Sequence, residues 1–287
     1  MILRVAKQLF LPIAAAFLIY FAWQSREILV DIIRSAKALN IIFAVLIWLM
    51  MNALSALFSM LVFRARKLPL SYKTAFKIHV RNLPARYVPG GVWHTVGRIG
   101  DLRDLGIGQR DISIFVFLEN VLAICTALMI GGSLVASYRG FDAWGQIAAL
   151  SALGAAVCLF LSPYLLSLRV VRDGTPFPTQ SFIAGTLVTA ASWFIAASAF
   201  VIYLSAFPAL SIQMSPLETA GSYLFSWGVG FISIFAPQGI GVFEVVAADL
   251  MRGTGSITSV AALLAGFRLI ILCADALAWS ALQIFRK

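Results

Sequence analysis

The sequence predicts an all-α integral membrane protein with six full transmembrane helices and two oppositely oriented re-entrant helical hairpins, arranged like an inverted repeat. Hydrophobic residues make up 61% of the 287 positions, charged residues make up 12%, and the mean hydropathy is +0.93. That composition is far from the composition of a soluble domain. Apolar runs of about twenty residues recur along the chain, and each can cross about 30 Å of hydrocarbon as a helix. Two further apolar runs are interrupted by proline and glycine, which break helices.

The first two full spans are predicted near the N-terminus. No small-x-small cleavage site follows the apolar run at residues 9–24, so we expect a retained transmembrane helix rather than a signal peptide. Residues 26–39 alternate charged and apolar residues at helical spacing, which is typical of an amphipathic helix at the membrane surface. The second span covers residues 39–63 and ends in basic residues. This end is expected in the cytoplasm.

Basic residues indicate the orientation of the remaining spans. Residues 64–110 carry ten of the 22 lysines and arginines and only two acids, so this region is expected to face the cytoplasm. Further full spans are predicted at residues 111–135, 144–167, 181–205 and 256–284. The loop at 206–216 has no lysine or arginine, as an external loop should, and the sequence SPLE at 215–218 predicts a capped helix start. The net charge of +10 therefore reflects the topology of a multi-pass protein. We expect both termini in the cytoplasm and the protein in the cytoplasmic (inner) membrane.

Two broken segments, at residues 71–98 and 216–252, would put the basic loops on inconsistent sides if each crossed the membrane once. The conflict disappears if each segment enters and leaves on one side, the first from the cytoplasm and the second from outside. The predicted breaks contain Pro89, Gly90 and Gly91 in the first broken segment, and Pro237, Gly239 and Gly241 in the second. Such a pair indicates an inverted-repeat transporter with its site near mid-membrane. Unwound backbone needs surrounding protein or a water-filled cavity, so the breaks predict a cavity within the single transmembrane domain of residues 1–287.

Polar side chains surround the first break. Arg86, Trp93, His94 and Arg98 are candidate binding residues, because a positive charge beside exposed helix ends suits a lipid phosphate. Each also has a structural explanation. The two arginines can extend to the cytoplasmic interface, Trp93 can be an interfacial anchor, and His94 can either relay a proton or only form a hydrogen bond.

Three acids and one arginine lie at depth in apolar segments. Glu244 follows the second break, Glu119 lies near the middle of a span, and Arg268 is two helical turns from Asp275 on the same face. Buried charges of this kind are expected to pair and to line a site. The alternatives are a purely structural ion pair of Arg268 with Glu119 or Glu244, and a helix cap formed by Glu244.

Other chemistries find no support in the sequence. There is no P-loop, HExxH or GxSxG motif. The three cysteines lie in separate apolar runs and the two histidines are far from other ligand residues, so neither a disulfide framework nor a metal site is indicated. We therefore expect no metal, no cofactor, no nucleic-acid partner and no enzymatic activity.

The two motifs carry a family resemblance. RYVPGGVW at 86–93, followed by Arg98, and PQGIGVFE at 237–244 resemble the lysylphosphatidylglycerol synthase transmembrane-region family, which is the flippase-like domain of the multiple peptide resistance factor and its stand-alone relatives. The second motif is similar to the family's P-G-G-I-G-x-x-E, with Gln238 in place of the first glycine. The order and spacing of the spans extend the resemblance over nearly the whole chain.

The resemblance implies translocation of a charged-headgroup lipid between leaflets. The substrate class stays open between phospholipids, aminoacyl-phospholipids and polyprenyl- or hopanoid-type lipids. The synthase activity of the resistance factor is expected to be absent, because the chain ends at Lys287 without the soluble aminoacyltransferase domain.

Two other functions remain as alternatives, namely a non-transporting subunit of a lipid-synthesis or glycosyltransferase enzyme and a small-solute secondary transporter. The expected partners are a membrane lipid as substrate and, for the subunit, that enzyme. The oligomeric state is open between a monomer and a homodimer.

Overall fold

The computed structural model describes residues 34–87, 92–171, 177–208, 214–233, 241–251 and 257–284. Within these ranges all regular secondary structure is helical. The helices are α1 (Ala38–Ala65), α2 (Tyr72–Arg81), a 3₁₀ helix (Leu83–Tyr87), α3 (Trp93–Asp104), α4 (Gln109–Arg139), α5 (Ala143–Val171), α6 (Thr179–Leu204), α7 (Pro216–Ile232), α8 (Val242–Leu250) and α9 (Ile257–Ile284).

Among the described residues, five helices are long and apolar enough to cross a membrane, which indicates a multi-pass membrane protein. They are α1, α4, the part of α5 at Ala143–Leu166, α6, and the part of α9 at Leu263–Ile284. Each overlaps one of the predicted full spans after residue 38, so the prediction of a long apolar helix at each of these five places is confirmed. The predicted first span at 9–24, and most of the predicted amphipathic helix at 26–39, lie outside the described residues.

Apolar side chains cover much of the outer surface as well as the interior. Leu150, Leu153 and Phe160 of α5 are each at least 63% exposed. In water such a helix would need an apolar partner, but a hydrocarbon solvent satisfies all of its faces. The leucine and phenylalanine side chains on the outer surface are therefore suited to contact with lipid.

Small residues let the central helix α4 approach its neighbours closely. A Cβ atom added at Gly131 would lie 2.4 Å from the backbone nitrogen of Phe225 in α7, and one added at Gly132 would lie 2.6 Å from the carbonyl oxygen of Ala148 in α5. Without a hydrophobic driving force between helices in lipid, this kind of close packing is a main source of helix association.

Neither broken segment is one continuous helix. In the first, α2 ends at Arg81, the 3₁₀ helix follows, and α3 begins at Trp93. In the second, α7 starts at a capping box of Ser215 and Glu218, as the sequence predicts, and ends before Ser233, whose backbone is extended. The predicted break residues Pro89, Gly90, Gly91, Pro237 and Gly239 lie outside the described residues, whereas Gly241 is described.

Helix α9 contacts both broken segments. It packs against α2 and the 3₁₀ helix of the first segment and against α8 of the second. Aromatic packing fixes its position, because the Phe267 ring centroid lies 5.0 Å from that of Phe200 and 5.3 Å from that of Tyr203, both in α6. The next residue after Phe267 is Arg268, so this anchor also sets the position of a charged group.

Candidate functional site

One face of α9 presents a positive and a negative side chain to the two broken segments. Arg268 and Asp275 are seven residues apart, which places them on the same face at a separation of about 10 Å. The Arg268 Nη2 atom lies 2.7 Å from Glu244 Oε1 in α8. The Arg86 Nη1 atom, in the 3₁₀ helix, lies 2.9 Å from Asp275 Oδ2. We call these two ion pairs and the α9 face between them the α9 seam.

Glu244 joins the start of α8 to α9. Its Oε2 atom accepts a hydrogen bond of 2.7 Å from the backbone N–H of Gly241, while Oε1 accepts from Arg268. Gly241 has φ of 89°, a conformation that favours glycine, so the turn that exposes this N–H suits the residue present. The predicted helix cap and the predicted ion pair are thus both formed, by the two oxygens of one carboxylate.

Asp275 is the most deeply buried acid of the seam, with 2% of its surface exposed. Its Oδ2 atom accepts hydrogen bonds of 2.9 Å from Arg86 and from the Tyr87 hydroxyl. No described residue donates to its Oδ1 atom. A buried carboxylate is costly unless charge and hydrogen bonds compensate it, so Asp275 holds the last residues before the first break against α9.

The arginines of the seam are more accessible than the acids. The side chains of Arg86 and Arg268 are 31% and 35% exposed, compared with 2% for Asp275 and 15% for Glu244. A guanidinium group has five N–H donors and no acceptor. The arrangement therefore offers donors, rather than acceptors, to an incoming group.

Arg98 and Glu119 form a third ion pair, between α3 and α4. Arg98 donates from Nη1 and Nη2 to the two carboxylate oxygens at 2.7 and 2.6 Å. Its side chain is 3% exposed, and its guanidinium carbon lies 5.4 Å from the centre of the Phe115 ring. Arg98 thus does not extend to the interface, and Glu119 is the partner of Arg98 rather than of Arg268.

Trp93 and His94 occupy the first turn of α3. Trp93 is 49% exposed, and the His94 Nδ1 atom lies 3.4 Å from the hydroxyl oxygen of the neighbouring Thr95. The three ion pairs do not include either residue. Of the predicted residues, the structure gathers Arg86, Asp275, Glu244 and Arg268 at the α9 seam and places Arg98 with Glu119.

Several polar contacts of the first broken segment were not predicted. Tyr87, inside the quoted motif, is a second donor to Asp275. His79 of α2 is buried and its Nε2 atom lies 3.1 Å from Asn52 Oδ1 of α1. Asp101 of α3 binds Arg81 and Asn82 at the end of α2, which ties the two sides of the segment together. One signal was visible in the sequence, because Asp101 is one of only two acids in the basic region 64–110.

The part of the chain that the structure describes contains no candidate metal site, because no three His, Cys, Asp or Glu side chains there lie close enough together to hold a metal ion. The partly exposed guanidinium groups of the seam can bind oxyanions, and each can exchange its carboxylate partner for another anion.

In comparisons with known proteins, no protein-family model and no curated protein matches the chain.

Proposed function

We propose that the protein is a lipid translocator of the cytoplasmic membrane, with both termini in the cytoplasm, that moves a charged-headgroup lipid between leaflets by alternating access. The observation that carries the proposal is the α9 seam. One helix bears an arginine that pairs with an acid of the second broken segment and an acid that pairs with an arginine of the first. Each broken segment is thereby held by a contact that a charged headgroup can replace.

The polarity of the seam favours an anionic headgroup. Charged groups inside a membrane are costly unless paired, and they mark substrate paths by default. A phosphate that reached Arg86 would take over the role of Asp275, and one that reached Arg268 would take over the role of Glu244. Because the arginines are the more exposed partners, they meet an incoming anion first, and in a phospholipid that anion is the phosphate.

The two broken segments act as re-entrant hairpins that dip from opposite faces. α9 is the common element, so release of one ion pair frees one segment while the other pair holds the second. Opening one side at a time is the alternating access expected of inverted-repeat transporters. Loss of one partner costs up to roughly 3 kcal/mol in these pairs, whose arginines are partly exposed. A segment therefore opens when an anionic headgroup pairs with the arginine and water reaches the carboxylate that is left.

The test is lipid exchange in vesicles that contain the purified protein and a tail-labelled phosphatidylglycerol. A membrane-impermeant quencher measures how fast the label passes from the inner to the outer leaflet. We expect Arg86→Gln and Arg268→Gln to slow exchange by about tenfold or more, because each removes charge-assisted hydrogen bonds to phosphate. Equal exchange with and without protein, for phosphatidylglycerol and for other lipid classes, would refute the proposal.

A matched control is Arg139→Gln. Arg139 also forms an ion pair, with Asp142 at 2.6 Å, but this pair lies at the turn between α4 and α5. The variant makes the same change of charge and is expected to keep the exchange rate of the unmodified protein. A loss equal to that of Arg86→Gln would show that any lost arginine disturbs the protein, and it would count against a specific role for the seam.

A further inference from the structure

A second polar feature lies at the end of α1, away from the α9 seam. A surface groove with a volume of about 550 Å³ runs along the turn between α1 and α2. Met60, Leu68, Pro69 and Tyr72 give it apolar walls, and Arg64 and Lys67 are its basic lining residues. Since α1 is long and apolar enough to span a membrane and ends at Ala65, the groove lies where hydrocarbon meets water.

One backbone position of this turn carries an unusual residue type. The N–H of Leu68 donates to the carbonyl of Phe63 at 3.0 Å and the N–H of Lys67 donates to the carbonyl of Arg64 at 2.9 Å, which is the Schellman pattern of a helix C-terminus. Its left-handed position is normally glycine, but here it is Lys67, with φ of 58°. No other non-glycine residue in the described ranges has positive φ. A lysine in a place that suits glycine points to a role for its side chain.

No residue that the structure describes neutralises the two exposed charges of the groove. Arg64 and Lys67 are exposed, and neither forms an ion pair with any residue that the structure describes. Arg66, between them, is different, because its Nε atom lies 2.7 Å from Asp111 Oδ1. Two unpaired cations next to apolar walls at the membrane boundary complement a ligand with an anionic head and an apolar body.

We propose that the groove binds one anionic phospholipid, with its phosphate between Arg64 and Lys67 and the start of its acyl chains against Met60 and Leu68. Basic side chains at the membrane surface attract anionic lipids individually, and the groove adds a shaped apolar surface to this attraction. The lipid bound here is a resident one at the protein surface. The site neither requires nor excludes translocation at the α9 seam.

Native mass spectrometry of the full chain in neutral detergent tests the proposal by counting bound phosphatidylglycerol and phosphatidylcholine. The unmodified protein is expected to retain one phosphatidylglycerol in preference to phosphatidylcholine. Lys67→Gly and Arg64→Gln are each expected to weaken that first binding step by about fivefold. Unchanged phosphatidylglycerol binding in both variants would overturn the proposal.

Stability separates a binding role from a structural one. Because glycine is the favoured residue at this turn, Lys67→Gly is expected to raise the melting temperature in lipid-free detergent while it lowers lipid binding. The charge-matched control is Lys77→Gln, an exposed lysine of α2 that does not line the groove, and it is expected to leave the first binding step unchanged. An equal loss with Lys77→Gln would overturn the assignment to this groove.

A third measurement distinguishes a lipid from a free phosphate. Inorganic phosphate in millimolar excess is expected to leave the bound phosphatidylglycerol in place, because it lacks the chains that contact Met60 and Leu68. Complete displacement by inorganic phosphate would show an anion site without lipid selectivity, and it would overturn the proposal.

Discussion

Asp275 shows at the level of single residues why the charges of this protein work as pairs. Its carboxylate is almost fully buried and receives two hydrogen bonds from adjacent residues, Arg86 and Tyr87. Removing a donor leaves a buried carboxylate short of compensation, whereas removing the carboxylate charge leaves the Arg86 guanidinium, which is 31% exposed and can be solvated. The two substitutions are therefore expected to have unequal effects, and the effect of one depends on the presence of the other.

This dependence can be measured by a double-mutant cycle. Arg86→Ala is expected to destabilise the protein by up to about 3 kcal/mol, at the low end for a buried pair because Arg86 is partly exposed. In the Asp275→Asn background the same change is expected to cost less than about 1 kcal/mol, because no buried carboxylate is left to lose its partner. The measurement is thermal unfolding of the four proteins in detergent. Additive losses would show that the pair contributes no coupling.

The sequence predicted that the deep charges pair, but not how they pair. Their depth in apolar runs was sufficient for the first statement, because an unpaired charge there is too costly. The choice of Glu244 rather than Glu119 for Arg268 depends on which helices are neighbours. That neighbourhood follows from the packing of α9 against α8 and of α3 against α4, which no local pattern of residues encodes.

At the level of elements, glycines decide how closely α4 and α7 can pack. At Gly131 an added Cβ atom would lie 2.4 Å from the Phe225 nitrogen and 2.8 Å from the Leu224 Cβ atom. Backbone atoms have little freedom to yield, so the helices would have to separate. Separation would also weaken the contacts of α7 with α8, and thus the support of the second broken segment.

The prediction is that Gly131→Ala destabilises the protein by roughly 1–3 kcal/mol through overpacking. Gly154→Ala in α5 is the control, because an added Cβ atom there meets no atom within 4 Å. That change is expected to be neutral or stabilising, since alanine favours a helix more than glycine does. Unfolding temperatures in detergent compare the two variants. If both fall equally, a general effect of lost glycine rather than helix packing is responsible.

Hydropathy predicted the existence of the long helices better than their ends. The span predicted at 144–167 belongs to α5, which runs from Ala143 to Val171 and contains Pro163. Proline is tolerated inside such helices because neighbouring groups satisfy the freed backbone atoms. The span predicted at 111–135 is the apolar centre of α4, which extends from Gln109 to Arg139. Polar residues continue these helices beyond the apolar run, where hydropathy carries no signal.

At the level of the whole molecule, the two broken segments determine how many times the chain crosses the membrane. α2 and α3 have ten and 12 residues, and at about 1.5 Å per residue each is too short to cross about 30 Å of hydrocarbon. Asp101 in α3 binds Asn82 at the end of α2, and the two helices are in contact. These observations favour a segment that turns back rather than one that crosses.

Cysteine labelling gives the last prediction, which separates a re-entrant segment from a crossing one. In a protein whose native cysteines have been replaced, Lys73→Cys lies near the start of the first broken segment and Asp104→Cys just past its end, both at exposed positions. If the segment turns back, an impermeant maleimide labels both from the same side of sealed vesicles. Ser137→Cys, near the other end of the long helix α4, is then labelled only from the opposite side, which shows that the vesicles are sealed and oriented. Labelling of Lys73→Cys and Asp104→Cys from opposite sides would mean that the segment crosses, and the two-hairpin topology on which alternating access depends would be wrong.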